Sequence, residues 1–409
     1  MKSTIYTIVL LLIMLVISNC TRNNQEKIAM NPEYLQEFEE GEVNSISDAN
    51  NKLSLVLFKL LDQEDKNLVF SSFSISNALA MAAETTNEEI SQVIRKGLRL
   101  PKDINSIREG YQTILKSYEV ENEYYALNLA NALWIEEKYP LEEIRKETIE
   151  KFYLGKALTF DNNQPGITAN RVNEWCNAKT QGMIDKIISG DDINANTHLL
   201  LTNAIYFKGS WQEEFSKKTT KEKIFHNSKM EQKQVDFMSQ RANLAYTETE
   251  EAQILKLNYQ GGDLSMLLIL PRDNNLSDLK DKLSSEMIEN WKKKLKTYDV
   301  YVELPKFKFD FDAEMSQPLK QLGMQRAFTA KSANELIIGT VKHKAIIDVN
   351  EEGTEAAAAT VVAMVTRSMP IQYEKREFIA DHPFIFLIQD DLNQNILFMG
   401  KVENPVYGD

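Results

Sequence analysis

The stretch from Glu351 to Pro370, EEGTEAAAATVVAMVTRSMP, constrains what this chain can fold into more than any other. Two acids and a glycine open it, small and β-branched residues interrupted by Glu355 follow, and a single arginine, Arg367, stands near its end. From Thr354 to Val362, with the strand period of two, Glu355 is the only charge on one face, and the opposite face carries only small and β-branched residues. Alanine suits a helix and β-branched residues suit a strand, so local propensity does not choose one conformation. An Ala-rich helix or linker is one interpretation, and a segment with two conformational states is the other.

Composition bounds the class of protein. The chain has 409 residues, of which 43% are hydrophobic and 26% charged, and its formal net charge is -13. This is globular composition with ample material for a large core. The acidic balance argues against a nucleic-acid partner, and the basic clusters at 217–223 and 292–294 lack interleaved aromatic residues.

The N-terminus predicts export. Lys2 precedes an apolar run from Ile5 to Ile17. This run has the length of a signal-peptide core and is shorter than a typical transmembrane helix. Cys20 follows in a context that resembles the lipobox of prokaryotic lipoproteins, although Asn19 stands where a small residue is usual. We expect lipid attachment at Cys20 and an extracellular or cell-surface location. An ordinary secretory peptide with an incidental cysteine is the alternative.

The chain divides into three parts. Residues 1–19 are the predicted signal peptide, residues 20–46 the lipobox cysteine and a polar, acidic tether, and residues 47–409 a single domain. Cys176 is the only cysteine of the body, so the fold cannot rest on a disulfide framework. We interpret Cys176 as a small buried hydrophobe rather than a nucleophile.

Periodicity predicts an α+β fold. The first third is rich in helical patterns and contains one early strand or turn, NLVFSSF, and one longer strand-like run from Ala126 to Ile135. Residues 139–190 again favour helix, ending in a helical stretch from Val172 to Ile188. After Thr197, short apolar or alternating runs separated by turn residues predict strands. No linker divides the body, so one mixed domain is expected.

No catalytic or metal motif emerges. The four histidines have no partners at metal-ligand spacing, and neither a nucleophile elbow nor a phosphate loop is present. Asp381 and His382 are adjacent in a strand-like run, which predicts that they point to opposite faces and do not pair. The sequence therefore predicts a protein that is not an enzyme and has no cofactor or metal.

The chain resembles the serpins, a superfamily of serine protease inhibitors, from about Asn50 to Pro405. The order and spacing of seven blocks carry the resemblance: NLVFSSFSISNALAMAA at 67–83, TQGMI at 180–184, LTNAIYFKGSW at 201–211, LPKFKFD at 304–310, EEGTEAAAAT at 351–360, ADHPFIFLI at 380–388 and ILFMGKVENP at 396–405. The resemblance implies three β-sheets, eight or nine helices and an exposed reactive-centre loop. It also implies a suicide mechanism, in which the protease attacks the loop and is trapped as an acyl-enzyme when the loop inserts into the large sheet.

The resemblance also assigns the reactive bond. Serpins are usually cleaved seventeen residues from the first hinge acid, and counting from Glu351 with both ends included arrives at Arg367. The expected bond is Arg367-Ser368, and an arginine there suits the acidic specificity pocket of a trypsin-like serine protease. An Arg-specific cysteine protease is the alternative partner.

Hinge chemistry favours inhibition. Insertion requires side chains that fit between strands without clash or buried charge, and small residues meet this need. Glu355 is the one charge within the small-residue run, and its face is expected to point to solvent. The predicted hinge comprises Glu351, Glu352, Gly353, Thr354, Glu355, Ala356, Ala357, Ala358, Ala359 and Thr360.

Other positions are assigned by the matching blocks. The polar cluster beneath the parting sheet, called the shutter, is expected to comprise Ser71, Ser74, Asn203 and His343, and Trp211 matches the aromatic of the breach, where the loop first enters. Ser72 stands where many serpins have proline. Together these features predict a monomeric inhibitory serpin directed at trypsin-like proteases. A non-inhibitory serpin-fold binding or scaffold lipoprotein is the alternative function.

Overall fold

The computed structural model describes Phe38 and residues 43–119, 124–332, 334–354 and 372–407. These residues contain nine α-helices, which we number in chain order. They are α1 Ile46–Leu61, α2 Ser72–Thr85, α3 Glu88–Gly97, α4 Ile104–Tyr118, α5 Glu143–Tyr153, α6 Pro165–Lys179, α7 Leu276–Lys282, α8 Ser285–Lys294 and α9 Ser316–Leu319. Short π and 3₁₀ turns continue α9 to Phe328, and a further 3₁₀ turn spans Gly190–Asp192.

Side-chain caps explain where several helices begin. Ser45 before α1, Ser71 before α2, Asn87 before α3 and Asp103 before α4 each accept a hydrogen bond from the backbone N–H three residues later. Such caps satisfy one of the N–H groups that a helix leaves without an internal partner.

The first sheet has six strands in the order β10-β11-β12-β4-β2-β3. β4 and β11 also pair directly with each other and run parallel, whereas β12 is antiparallel to both. The strands are β2 Tyr125–Glu136, β3 Lys156–Phe160, β4 Leu199–Ser210, β10 Phe307–Glu314, β11 Ile338–Val349 and β12 Gly353–Thr354.

The second sheet has nine strands in two groups. The first group, β1-β15-β14-β8-β7, joins the second, which contains β5, β6, β9 and β13, through the pairing of β6 with β7. The strands are β1 Leu68–Phe70, β5 Lys221–His226, β6 Gln232–Glu248, β7 Ala252–Asn258, β8 Leu264–Pro271, β9 Lys296–Pro305, β13 Lys375–Ile379, β14 Phe384–Asp390 and β15 Asn395–Val402.

Helix α2 lies between the two sheets. It contacts β2 and β4 of the first sheet and β15 of the second, and every residue of it except Glu84 is buried. A helix that is apolar or small on all sides is typical of such a central position. This burial explains the many alanines and serines of α2, because small side chains allow a close approach of both sheets.

The α+β prediction is confirmed. The six-stranded sheet and the two groups of the nine-stranded sheet make up the three strand groups that the resemblance implies, and the nine described helices agree with the expected eight or nine. Two local predictions are wrong. Strand β3, parallel to β2, lies inside the region predicted to be helical. The helix predicted to reach Ile188 ends at Lys179, because Gln181 and Gly182 adopt positive φ and the hydroxyl of Thr180 accepts the N–H of Ile184.

Asp381 and His382 pair, contrary to the sequence prediction. They lie in the link between β13 and β14, so strand alternation does not apply to them. His382 Nδ1 is 2.7 Å from Asp381 Oδ1, and Nε2 is 2.8 Å from the carbonyl oxygen of Pro271. The contact fixes this link rather than forming part of a triad, since both ring nitrogens are already occupied.

Cys176 and Phe38 are both buried. Cys176 is free and fully buried on α6, and burial raises the pKa of its thiol to about 12, which agrees with a structural role. Phe38, in the predicted tether, is buried with its ring centroid 5.8 Å from the Arg99 guanidinium. No helix of the described ranges is both long and apolar enough to cross a membrane.

Candidate functional site

The candidate site begins where β11 ends and the chain turns back. The backbone N–H of Asn350 donates to the carbonyl of Gly353 at 2.9 Å, and the Asn350 side chain accepts from the N–H of Glu352 at 3.0 Å. This turn, residues 350–353, directs the chain into β12. The hinge predicted from the sequence therefore starts as a tight hairpin at the end of the sheet.

Strand β12 lies between two parallel strands. Residues Ile338 to Ile346 of β11 pair directly with β4. Beyond that point Thr354 pairs with Val349 on one side and with Gly209 on the other. A strand antiparallel to both neighbours can hydrogen-bond along both edges. Continuing it would require β4 and β11 to separate along the residues that now pair directly.

Only a residue without a side chain fits at the first position of β12. A Cβ atom on Gly353 would lie 2.0 Å from the carbonyl oxygen of Gly209, a distance that would force backbone to move. Glycine permits this close approach of two main chains. The glycine that the sequence analysis placed in the hinge thus has a steric role.

Aromatic residues hold the turn from one side. Trp211 is 1% exposed and stacks on Tyr259 with ring centroids 4.6 Å apart and planes at 12°. Its indole Nε1 donates to the carbonyl of Asn350 at 3.0 Å, and its backbone N–H donates to the carbonyl of Glu352 at 2.9 Å. The predicted breach residue thus contacts the hinge turn through two hydrogen bonds.

Glu351 holds the turn from another side. Its carboxylate accepts from the hydroxyl of Thr220 at 2.7 Å and lies 3.1 Å from the ammonium group of Lys306. Burial pushes the pKa of Glu351 up, but the hydrogen bonds from Thr220 and Lys306 outweigh burial and lower it. The buried carboxylate is therefore ionised and paired, as a buried charge must be.

The four predicted shutter residues lie together under the same sheet. Asn203 of β4 pairs in register with His343 of β11, and Asn131 of β2 pairs in register with Asn203. The N-terminus of α2 supplies Ser71 and Ser74 to this row. All five residues are at most 4% exposed. The row crosses three adjacent strands at the segment where β4 and β11 pair directly.

The hydrogen bonds of this cluster determine which ring nitrogen of His343 carries the proton. The N–H of Ser71 donates to His343 Nε2 at 3.2 Å, so Nδ1 carries the proton and donates to Asn203 Oδ1. Asn203 Nδ2 donates to Ser74 Oγ, which in turn donates to Asn131 Oδ1 at 2.9 Å. Burial lowers the pKa of His343 to about 3, so the ring is neutral.

Ser72 has a defined role at the position where many serpins have proline. It is the first residue of α2, where a missing N–H is tolerated and proline is favoured. Here its buried hydroxyl lies 2.5 Å from the hydroxyl of Ser54 on α1, which bonds the carbonyl of Asn50 at 2.9 Å. The substitution therefore adds a polar link between α1 and α2.

The reactive bond Arg367-Ser368, the hinge residues Glu355 to Thr360 and the lipid-attachment candidate Cys20 lie outside the described residues. The sequence did not point to Asn131, Thr220, Tyr259 or Lys306. The register of β2 with β4 could have suggested Asn131, but sequence gives no signal for the other three. No group of three or more His, Cys, Asp or Glu within the described ranges has the arrangement of a metal site.

Comparison with known proteins decides the family. The family model for serpins, serine protease inhibitors, matches residues 48–405. The chain belongs to the serpin family. Serpins are in general protease inhibitors rather than enzymes, and serine proteases are what they act on.

This serpin is similar to archaeal and animal members of the family. A serpin-like protein of Methanosarcina acetivorans is 36% identical over 393 residues, which cover 90% of this chain and 92% of that protein. The leukocyte elastase inhibitor of Sus scrofa is 34% identical and covers 89% and 100%. Among solved structures, Serpin48 of the insect Tenebrio molitor, a highly specific serpin, matches with TM-score 0.78 and 28% identity over 88% of this chain and 98% of that one.

Proposed function

We propose that this serpin is an irreversible suicide-substrate inhibitor of trypsin-like, Arg-specific serine proteases, cleaved at Arg367-Ser368. One observation carries the proposal: β12 lies antiparallel between the parallel strands β4 and β11. A loop cleaved beyond Thr354 could extend β12 along both strands and form hydrogen bonds on two edges. The hydrogen bonds that the inserted strand forms with β4 and β11 would drive the insertion. Insertion would move the attached protease before the acyl-enzyme is hydrolysed.

The composition of the hinge supports the same function. From Ala356 to Ala363 the sequence contains only alanine, threonine and valine, and no proline stands between Thr354 and Pro370. Such residues fit a central strand, where proline would remove a ladder hydrogen bond and a large side chain would overpack the core. Glu355 alternates to the opposite face from Thr354, so its charge can remain in water.

A complex-formation assay with trypsin tests this function. We expect the serpin to form an SDS-stable complex with trypsin and to release a fragment that begins at Ser368, as determined by mass spectrometry. Arg367→Ala should abolish the complex. The matched control is Arg272→Ala, a change at an exposed arginine of the body that should leave complex formation intact. Cleavage at Arg367 without a complex would instead support the non-inhibitory, binding or scaffold function.

We further propose that the serpin is exported and anchored through a lipid on Cys20. The apolar run Ile5 to Ile17 and the cysteine that follows it support this location. Expression in a bacterial host with an alkyne-labelled fatty acid tests the proposal. The wild-type chain should be labelled and sediment with membranes, whereas Cys20→Ala should be unlabelled. An unlabelled wild-type chain in the medium would favour an ordinary secretory peptide.

A further inference from the structure

Tyr259 places a buried hydroxyl against the first side chain of β12. Its OH lies 2.6 Å from Thr354 Oγ1, and the two residues are 0% and 1% exposed. Within the part of the chain that the structure describes, neither hydroxyl has another hydrogen-bond partner. Each of these buried hydroxyls therefore depends on the other, since an unpaired one would lose its hydration without compensation.

The position of Tyr259 connects the two sheets. It follows β7 of the nine-stranded sheet and forms an antiparallel bridge with Trp211, the residue after β4. Its ring is fixed by stacking on Trp211 and by an edge contact with Phe207, whose centroid is 4.9 Å away. Thr354 belongs to the six-stranded sheet. The hydroxyl pair thus joins the hinge to an aromatic cluster at the junction of the two sheets.

We propose that Tyr259 is a positioning residue for loop insertion: its hydroxyl holds Thr354 between β4 and β11 before a protease acts, and so fixes the register in which later residues enter. This inference rests on the function proposed above and names a residue that serves it. Burial raises the pKa of Tyr259 far above its usual range, so the phenol keeps the proton that it shares with Thr354.

The strand period decides which residues of an inserting strand face the interior. A shift of one residue would move every side chain of an inserting strand to the opposite face and bury Glu355. With Thr354 held on the face of Tyr259, the residues at even steps from Thr354 face the core side and Glu355 faces away. The hydroxyl pair therefore selects the one register in which the small-residue face enters the interior.

Amide hydrogen exchange tests directly whether Tyr259 keeps β12 in place. In peptides covering residues 347–354, Tyr259→Phe and Thr354→Val should each raise the exchange rate about tenfold, because each leaves one buried hydroxyl unpaired and favours release of β12. The double variant should exchange no faster than either single variant, since it removes both hydroxyls at once. Unchanged exchange in Tyr259→Phe, or rate increases that multiply in the double variant, would overturn the proposal.

Tyr111→Phe is the matched control. Tyr111 on α4 is also fully buried, and its hydroxyl also bonds a single hydroxyl, that of Ser76. This variant loses the same kind of hydrogen bond away from the hinge, so it should leave exchange at 347–354 unchanged. Equal acceleration in Tyr111→Phe would mean that the effect of Tyr259→Phe reflects general loss of stability, and it would refute a positioning role.

A second readout separates this inference from the proposed function. The number of serpin molecules consumed per trypsin molecule inhibited should rise about twofold or more in Tyr259→Phe and Thr354→Val, and stay constant in Tyr111→Phe. Faster exchange with unchanged consumption would overturn the role in insertion. If the wild-type serpin forms no complex at all, the proposed function fails, whereas the exchange experiment still decides whether Tyr259 holds the hinge.

Discussion

At the scale of single residues, two histidines have opposite environments. His343 is enclosed by the shutter cluster and has one donor and one acceptor as partners, which suits a neutral ring. His382 faces acceptors on both nitrogens, which suits a charged ring. Burial opposes that charge, but the Asp381 carboxylate and the Pro271 carbonyl outweigh burial and raise the pKa of His382. The two residues should therefore make stability depend on pH with opposite signs.

The neutral His343 should destabilise the serpin in acid. A histidine in the unfolded chain has a pKa of about 6.5, whereas the pKa of His343 in the folded protein is about 3. Between these values the unfolded chain binds a proton that the folded chain does not, so the free energy of unfolding falls by up to about 1.4 kcal/mol per pH unit on acidification. His343→Gln should reduce the loss of Tm between pH 7.5 and 5. The same loss in both proteins would contradict this assignment.

His382 should make stability depend on pH in the reverse direction. Its folded pKa is raised, so its contribution is fully present below the unfolded pKa and is lost as pH rises through the folded value. We expect His382→Gln to lower Tm more at pH 5.5 than at pH 9, measured by thermal unfolding in matched buffers. A decrease of the same size at both values would indicate that His382 contributes packing alone.

At the scale of secondary-structure elements, β12 is the most consequential strand. Its two described residues, Gly353 and Thr354, occupy the site where a longer strand could form between β4 and β11. The side chain of Thr354 fills a closed space, so its size and polarity should decide whether β12 can form.

Thr354→Arg should abolish inhibition while leaving cleavage intact. A guanidinium group cannot be accommodated in a site that is 1% exposed, because burial of an unpaired charge is costly. The variant should be cut by trypsin as an ordinary substrate, and the SDS-stable complex should disappear from the gel. Thr354→Ser keeps a hydroxyl and should still form the complex. Persistent complex formation by Thr354→Arg would show that insertion does not pass through this site.

The sequence predicted elements better where periodicity was strong than where tertiary contacts decide. The helices α3 and α4 follow from their spacing, with Ile90 and Ile94 buried on one face of α3. Strand β3 was missed because its short run KALTF has no clear alternation and owes its conformation to pairing with β2. Family blocks singled out Ser71, Ser74, Asn203 and His343, which lie together in the structure. Tyr259 had no sequence signal, because only the fold brings it to Thr354.

At the scale of the whole molecule, helix α1 and strand β15 close the domain together. Asn50 of α1 donates to the carbonyl of Ile396 at 2.7 Å, and Lys401 of β15 donates to the carbonyls of Gln63 and Glu64. Asp62 completes this closure, since its carboxylate lies 2.6 Å from both Lys401 and Lys280 of α7. The three charged groups therefore join three elements that are far apart in sequence.

Asp62→Asn should strongly destabilise the serpin. The side chains of Asp62 and Lys401 are 4% and 3% exposed, so removal of the carboxylate leaves a buried ammonium without its counter-ion. Removing one partner of a buried pair typically costs about 3–5 kcal/mol. Asp65→Asn is the control: its partner Lys229 is 58% exposed, and an exposed pair contributes at most about 1 kcal/mol. In urea unfolding, the midpoint of Asp62→Asn should lie well below that of Asp65→Asn. Equal midpoints would mean that water, rather than Asp62, compensates the charge of Lys401.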